Sequence, residues 1–232
     1  MTLLYLVAGE ASGDVLGGRL MAALRTRRPD LAFAGIGGPR MAEQGLVSLF
    51  PMEELSLMGL AEVLPRLRGL ARRLAEAEAD VLARRPAALV TIDAPSFTLR
   101  LAARVRPKGV RVIHYVAPQV WAWRQGRVRR IARRIDRLLA LLPFEPPFFE
   151  AAGIPTSFVG HPVLESGADR GNAARFRTTH GIAPETRLLA VMPGSRGGEL
   201  ARHLPVFARA VGLLRDRFGA LALAVPTLPR LA

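Results

Sequence analysis

Short apolar runs alternate with helical patterns along almost the whole chain, and this alternation constrains the fold more than any other feature. The first run, Leu3–Ala8, is apolar throughout and ends at Gly9, which is typical of a buried strand. Because strands and helices alternate, we predict an α/β protein with a doubly wound parallel sheet. The predicted strands are Leu3–Ala8, Leu31–Ile36, Ala87–Asp93, Val110–Val116, Arg137–Leu142, Thr156–Gly160, Leu188–Met192 and Leu221–Val225. The predicted helices are Val15–Arg28, Ser56–Arg85, Phe97–Arg106, Trp123–Ile135, Phe144–Ala152, Asn172–Thr179 and Glu199–Phe218.

A polar stretch with several glycines, between Gly160 and Arg187, separates the last two predicted strands from the others. We therefore predict an N-terminal domain over residues 1–165, and a linker with the beginning of a second domain over residues 166–232. Two strands and the helix between them cannot bury both faces of a parallel sheet. The sequence thus predicts an incomplete second domain, and we expect the chain not to catalyse a reaction by itself.

The composition excludes several classes of protein. There is no cysteine, which excludes disulfides, thiolate metal sites and cysteine nucleophiles, and the four histidines lack metal-ligand spacing. The N-terminus lacks a basic region before its apolar run, and the apolar stretch Phe218–Pro229 is too short to span a bilayer. We expect a protein that is cytoplasmic and either soluble or peripheral, with no metal.

The charge is strongly positive, with 33 Lys and Arg against 19 Asp and Glu and a formal net charge of +14. Lys108 is the only lysine, and arginine can bind phosphate through its planar fork. Genome composition is an equally good explanation of this arginine excess. Because no nucleic-acid-binding motif accompanies the arginines, we predict no nucleic-acid partner.

Two segments follow predicted strands at positions where α/β sheets bind ligands. The segment GEASGD, Gly9 to Asp14, is a candidate ligand site because it combines a sharp turn with the free N–H groups at the start of a helix. The alternative is a purely structural tight turn, in which Ser12 or Asp14 caps the helix. TIDAPSF places Asp93 at the end of an apolar strand, where a carboxylate can act as a general base or bind a hydroxyl. The alternative is that Asp93 only caps the helix that begins near Ser96.

Two further segments also carry candidate ligand contacts. In HYVAPQVWAWRQGR, His114 is a candidate contact for phosphate or sugar, and Trp121 and Trp123 are candidate pocket walls. The alternative is that both tryptophans are core residues and that His114 is a histidine with its hydrogen bonds satisfied. In MPGSRGGEL, Arg196 lies in a glycine-containing loop before a helix that begins at Glu199, which suits a diphosphate, against the alternative of an exposed turn.

Two helical segments suggest contact with lipid. The helix around residues 58–74 has an apolar stripe flanked by arginines. Such a stripe ordinarily packs against the core of the protein, and the alternative is that it contacts a membrane surface or acyl chains. The arginines of residues 124–137 either form the solvent-exposed face of a helix or bind anionic lipid headgroups. The stripe residues that we single out are Leu60, Val63, Leu64, Leu67, Leu70 and Leu74.

Eight segments occur in a characteristic order: GEASGD, GIGGPRM, MEELSLMGLAEVL, TIDAPSF, HYVAPQVWAWRQGR, LPFE, FVGHP and MPGSRGGEL. In this order they resemble the bacterial lipid-A-disaccharide synthases over essentially all 232 residues. The resemblance implies a GT-B glycosyltransferase with two Rossmann-like domains, no metal, and no cofactor besides the sugar nucleotide. Members of that family continue past the end of this chain, through the rest of the donor domain.

The reaction that the resemblance implies joins a UDP-2,3-diacylglucosamine donor to a 2,3-diacylglucosamine 1-phosphate acceptor, giving lipid A disaccharide 1-phosphate and UDP. It implies Asp93 as the base that accepts the proton of the attacking hydroxyl. The stripe would meet the acyl chains and the anionic surface of the inner membrane, on its cytoplasmic face. The implied substrate-binding residues are Gly9, Glu10, Ser12, Gly13 and Asp14 near the acceptor and Ser195, Arg196 and Glu199 near the donor, with His114 and Trp121 as further candidates.

Two alternatives to this function stay open at the level of sequence. One is another UDP-sugar-using GT-B protein, such as a sugar-nucleotide epimerase. The other is a non-catalytic remnant that binds membranes or lipids.

Overall fold

The computed structural model describes residues 2–56, 63–123, 125–165, 167, 170–194 and 197–226. The chain divides into two compact units, Met1–Ser166 and Gly167–Ala232. This division lies one residue beyond the predicted boundary.

The first unit contains a parallel sheet of six strands in the order β2-β1-β3-β4-β5-β6. Each strand begins and ends within two residues of its predicted bounds, and the predicted α/β class is confirmed. The strands are β1 (Thr2–Ala8), β2 (Leu31–Ile36), β3 (Ala88–Ile92), β4 (Val112–Tyr115), β5 (Arg137–Ala140) and β6 (Thr156–Phe158).

Helices cover both faces of this sheet. The Tyr5 hydroxyl of β1 donates a 2.8 Å hydrogen bond to Asp80 of α4, which places α4 on the face that carries Tyr5. Gly13 of α1 lies against Ile92, whose position in the register puts it on the opposite face. The helices of this unit are α1 (Ala11–Arg27), α2 (Pro39–Ala42), α3 (Glu53–Ser56), α4 (Val63–Arg84), α5 (Pro95–Val105), α6 (Val120–Trp123), α7 (Val128–Ala132) and α8 (Glu145–Glu150).

Three helix predictions differ from the structure. Helix α1 begins at Ala11, not at Val15, so most of GEASGD is the first turn of a helix and not a loop. The predicted helix Trp123–Ile135 is broken, because a 3-10 turn over Gln125–Arg127, with Gly126 at its centre, lies between α6 and α7. The predicted helix Ser56–Arg85 appears as α3 and α4, with residues 57–62 outside the described part, and α2 was not predicted.

The core lies between the sheet and its helices. All five residues of β3 are buried, and α4 turns a buried face toward the sheet through Ala77 and Val81, both fully buried. Leu70 and Leu74 of α4 continue this face and are 9% and 5% exposed. For these two residues of the apolar stripe, core packing is therefore what the structure shows, and an exposed membrane contact was the wrong expectation.

The second unit contains two parallel strands, β7 (Arg187–Ala190) and β8 (Leu221–Ala224), joined by α10 (Gly197–Phe218). Before them lies α9 (Ala173–Thr179), whose first turn is capped by the Asn172 side chain, which accepts a 2.8 Å hydrogen bond from the Arg175 amide. Among the described residues of this unit, only Pro193 is buried. Across the described parts of both units, no helix has the length and apolar character needed to cross a bilayer.

Asp14 connects α1 to the turn that follows β2. Its carboxylate is 3% exposed and accepts three backbone hydrogen bonds, from the amides of Gly38 (2.8 Å), Arg40 (2.9 Å) and Met41 (3.0 Å). These amides belong to the first turn of α2 and the residue before it, so Asp14 caps α2 and not its own helix. Negative charge is favourable at this position.

We expect Asp14→Ala to lower the free energy of unfolding by about 3 kcal/mol, because three backbone amides, one buried and two partly buried, lose a charged acceptor. The measurement is urea denaturation followed by tryptophan fluorescence, which reports the first unit because Trp121 and Trp123 both belong to it. Ser12→Ala, at an exposed position of the same helical turn, is the control and should change stability by less than about 0.5 kcal/mol. Equal effects of the two variants would contradict the capping role.

Candidate functional site

The sheet changes its winding direction between β1 and β3, and the candidate site lies there. Strand β1 connects through α1 to β2 on one side, whereas β3 connects through α5 to β4 on the other. The loops after β1 and β3 therefore diverge to opposite faces and leave a crevice at the carboxyl ends of two neighbouring strands. Ligands of open α/β sheets bind at such a point.

The two loops touch at Gly9 and Ala94. A Cβ atom at Gly9 would lie 2.7 Å from the Cβ of Ala94, closer than real side chains approach. Only glycine at position 9 lets the end of β1 approach the end of β3 this closely.

Asp93 and Ala94 form a strained turn directly after β3. Both are left-handed, with φ of +48° and +44°, a conformation that is uncommon outside glycine. The Asp93 amide donates to the Tyr115 carbonyl (2.9 Å), and the Thr98 hydroxyl contacts the carbonyls of Asp93 (2.7 Å) and Ala94 (3.0 Å). Strain of this kind persists only where the surroundings hold it, and it is concentrated at functional sites.

Strand β4 ends in a third strained residue. Val116 has φ of +79°, which is exceptional for a β-branched residue, and its amide donates to the Leu139 carbonyl at 3.0 Å. The sequence analysis singled out Asp93 but missed Ala94, Thr98 and Val116. Pro95 marks the helix start, but a left-handed turn before it depends on contacts with other strands that local sequence does not reveal.

Two carboxylates flank the crevice from adjacent loops. Asp93 follows β3, and Glu10 stands at the N-cap position of α1 without capping it through its side chain. Both residues are half-buried. A half-buried carboxylate at the open end of a strand can accept a proton from a hydroxyl group of a ligand in the crevice.

The other predicted residues of GEASGD have separate roles. Gly9 and Gly13 are both buried, and the backbone of each packs closely against neighbouring residues. Gly13 lies close to the Ile92 carbonyl. Ser12 is exposed in the first turn of α1, and Asp14 is occupied by the three amides described above. The structure thus makes Asp14 a positioning residue for the loop after β2 and leaves Ser12 accessible.

His114 lies in the interior of the sheet, not on its rim. It is fully buried on β4, and its Nδ1 is 2.8 Å from the Thr91 hydroxyl, whereas its Nε2 has no hydrogen-bond partner among the described residues. Burial lowers the pKa of His114 from its ordinary value of 6.5 to about 4. The ring is therefore neutral at pH 7 and inaccessible to a phosphate or sugar, so the alternative of a core histidine is the one observed.

Trp121 is half-buried and anchored by a neighbouring loop. Its indole N–H donates to Glu145 Oε1 at 3.3 Å, and its ring meets Phe144 edge to face with centroids 4.9 Å apart. The other oxygen of the buried Glu145 accepts from the Leu142 amide at 3.0 Å. These contacts fix the loop between β5 and α8, and the role of Trp121 as a pocket wall stays a prediction.

The donor-side candidates fall partly outside the described residues. Ser195 and Arg196 lie outside them, whereas Glu199 is half-buried in the first turn of α10. Gly194 has φ of +125°, and a Cβ there would come within 2.7 Å of the Glu199 Cβ. The loop after β7 therefore folds closely against the start of α10.

The remaining stripe candidates are not described. Leu60 lies outside the described residues, and so do the side chains of Val63, Leu64 and Leu67. Among the described residues, no group of three or more His, Asp or Glu side chains has a geometry that could hold a metal ion.

A family model for lipid-A-disaccharide synthetase matches residues 4–230. The chain belongs to this family. Curated relatives named lipid-A-disaccharide synthase include proteins from Rhodospirillum centenum, 58% identical over 99% of this chain, and Granulibacter bethesdensis, 53% identical over 97%. This chain covers 58% and 57% of the length of these two relatives.

Solved structures share the fold. A UDP-GlcNAc 2-epimerase from Neisseria meningitidis bound to UDP-GlcNAc matches with a TM-score of 0.68 at 9% identity, over 99% of this chain and 66% of that one. A ugt transferase from Siraitia grosvenorii in complex with UDP matches with a TM-score of 0.55 at 14% identity, over 97% and 65%. At such identities the likeness shows the fold alone. This likeness confirms the predicted fold class, whereas the family model and the curated relatives confirm the family resemblance.

The contact between Gly9 and Ala94 predicts a compensating pair of substitutions in this synthetase-family chain. Gly9→Ala should lower the free energy of unfolding by about 1–3 kcal/mol, because its Cβ meets that of Ala94. Ala94→Gly removes the opposing Cβ and the left-handed strain, so the double variant should recover most of the loss. Urea denaturation monitored by tryptophan fluorescence measures the coupling.

The matched control for this cycle is Gly69→Ala in α4, where an added Cβ has nothing within 4 Å. It should be neutral or slightly stabilising because alanine favours the helix. Strictly additive effects of Gly9→Ala and Ala94→Gly would contradict direct contact between the two positions.

The buried His114 predicts a pH dependence of stability. Between about pH 6.5 and pH 4, the unfolded chain binds a proton at this ring that the folded protein does not, so folding loses stability as the pH falls. The loss should reach on the order of 3 kcal/mol near pH 4 and vanish above pH 6.5. Urea denaturation of His114→Leu across this range should show a shallower slope than the parent, with His180→Gln, at an exposed position, as the control. Parallel slopes for the parent and His114→Leu would contradict a neutral buried ring.

Proposed function

We propose that the protein containing this chain is a glycosyltransferase of lipid A biosynthesis. In the proposed reaction, UDP-2,3-diacylglucosamine donates its sugar to 2,3-diacylglucosamine 1-phosphate, giving lipid A disaccharide 1-phosphate and UDP. The observation that carries the proposal is the family match over residues 4–230, which extends through both units. The identity of 58% with a curated synthase supports the same reaction.

Asp93 is the proposed catalytic base. The 6-hydroxyl of the acceptor attacks the anomeric carbon of the donor, its proton passes to the Asp93 carboxylate, and the bond from the anomeric carbon to the diphosphate breaks with inversion. The strained turn at Asp93 and Ala94 supports this role, because the Asp93 amide and the Thr98 hydroxyl hold it at the crevice between β1 and β3. Glu10, on the adjoining loop, is proposed to bind the acceptor together with Ser12.

The donor is proposed to bind the second unit through Ser195, Arg196 and Glu199. An arginine and helix N–H groups offset negative charge that develops on a departing diphosphate. The UDP and UDP-GlcNAc in the structures of similar fold support a UDP-sugar donor. No cofactor besides the sugar nucleotide takes part in the proposed reaction.

The acceptor and an anionic membrane surface are proposed as further partners. Location at the cytoplasmic face of the inner membrane remains a prediction of the family resemblance. An epimerase function is not favoured, because the epimerase structures are similar in fold alone whereas the synthase relatives are similar in sequence.

We expect Asp93→Asn to lower the rate of UDP release about 10²- to 10⁴-fold, with little change in the KM of the donor, because proton acceptance is lost. Asparagine tolerates the left-handed backbone, so the substitution removes the charge and keeps the turn. The assay measures UDP released by the protein that contains this chain, given donor and acceptor together. Glu150→Gln, at an exposed position of α8, is the control. A loss below about tenfold would make Asp93 a structural residue only.

A further inference from the structure

The loop that follows β7 is tied to α10 by the side chain of His203. The Nδ1 atom of this residue lies 2.7 Å from the carbonyl oxygen of Pro193. A carbonyl oxygen can only accept a hydrogen bond, so Nδ1 carries the proton and donates it. Pro193 is the only buried residue among those that the structure describes in the second unit, and the carbonyl of a buried residue needs a donor. His203 supplies this donor from the neighbouring helix.

The ring of His203 is held in this orientation by Phe207, which lies one turn further along α10. The planes of the two rings are 30° apart and their centroids 5.9 Å apart. Phe207 is half-buried, whereas His203 is exposed. An exposed side chain loses rotamer freedom when it makes a hydrogen bond. The contact with Phe207 lowers this cost, because it already restricts the ring.

A second contact fixes the next residue of the loop against the same helix. Glu199 and His203 are four residues apart, so they lie on one side of α10. The backbone of Gly194 comes so close to this side that an added Cβ would lie 2.7 Å from the Glu199 Cβ. Gly194 has φ of +125°, which residues other than glycine rarely adopt. Two successive residues are thus fixed to α10, one by a hydrogen bond and the other by close packing.

We propose that His203 is a positioning residue for the diphosphate of the UDP-sugar donor. The inference rests on the proposed function, which assigns the donor to Ser195 and Arg196, the two residues that follow Gly194 in the chain. Fixing the backbone at Pro193 and Gly194 restricts the conformations open to the residues that follow. A donor that binds to a restricted loop loses less of its binding free energy to ordering that loop. His203 acts through the Pro193 carbonyl and does not itself touch the donor.

Asparagine and glutamine at position 203 separate this hydrogen bond from other effects of a substitution. The amide nitrogen of asparagine lies about where Nδ1 of histidine lies, whereas the amide nitrogen of glutamine lies about where Nε2 lies. Asparagine therefore keeps a donor at the Pro193 carbonyl, and glutamine does not. Glutamine is the better helix former of the two, so an effect through the stability of α10 would rank the variants in the opposite order.

The test uses the protein that contains this chain, and it measures UDP binding by calorimetry and UDP release in the steady state. We expect His203→Gln to raise the Kd of UDP and the KM of the donor about fivefold, and the KM of the acceptor less than about twofold, because one hydrogen bond on the donor side is lost. His203→Asn should stay within about twofold of the parent in all three quantities.

The matched control is His180→Gln in the same unit. His180 is also exposed and its ring also contacts a phenylalanine, with centroids 4.5 Å apart, but among the described residues its ring makes no hydrogen bond. This variant should leave the Kd of UDP unchanged. Circular dichroism melts confirm that each variant is folded. In a parent that releases UDP, equal Kd values for the parent and His203→Gln would overturn the inference and leave the proposed function standing.

The hydrogen bond itself is tested on the parent without a ligand. Long-range ¹⁵N–¹H correlation spectra at about pH 8, where histidine is ordinarily neutral, distinguish the two tautomers of each ring. His203→Asn identifies the signal of His203 by removing it. We expect the proton on Nδ1, and a proton on Nε2 would overturn the inference whatever the catalytic activity. A parent that neither binds nor releases UDP would contradict the proposed function and, with it, the role of His203 toward the donor, even with the proton on Nδ1.

Discussion

The contact between Gly9 and Ala94 is the constraint on which the arrangement of the candidate site depends. It joins the two strands at which the sheet reverses its winding, and it allows the loops after β1 and β3 to meet at one point. With any side chain at position 9, these loops would have to separate. The relative placement of Glu10 and Asp93 therefore depends on this close backbone packing.

The turn at Asp93 shows how the fold maintains an unfavourable conformation. Two consecutive left-handed residues together cost on the order of 2–4 kcal/mol, which local sequence does not offset. The offset comes from the neighbouring strand and from α5, through the Tyr115 carbonyl and the Thr98 hydroxyl. Because these partners belong to β4 and α5, the fold itself holds the backbone at Asp93, which favours the proposed role of this residue in proton transfer.

Sequence patterns predicted the strands well because burial alone determines them. The run at residues 88–92 is apolar except for Thr91, and it lies in the interior of a parallel sheet covered on both sides. The start of α1 was missed because Gly13 discourages a helix locally, whereas in the fold the missing side chain permits its packing against β3. The role of Asp14 was missed for a related reason, since its three partners lie 24 to 27 residues away.

The arginines illustrate what composition cannot reveal. A net charge of +14 has the same value whether the charges are spread over the surface or gathered in one place. Only the fold shows that Arg104 is paired with Glu78 at 3.1 Å, whereas Arg100, one helical turn earlier, has no carboxylate partner among the described residues. Neighbouring arginines on one helix thus differ in what they can bind, because a paired guanidinium has already exchanged its hydration for a carboxylate and an unpaired one has not. An anion-binding surface is therefore defined by which arginines lack an internal partner, and this property belongs to the tertiary structure.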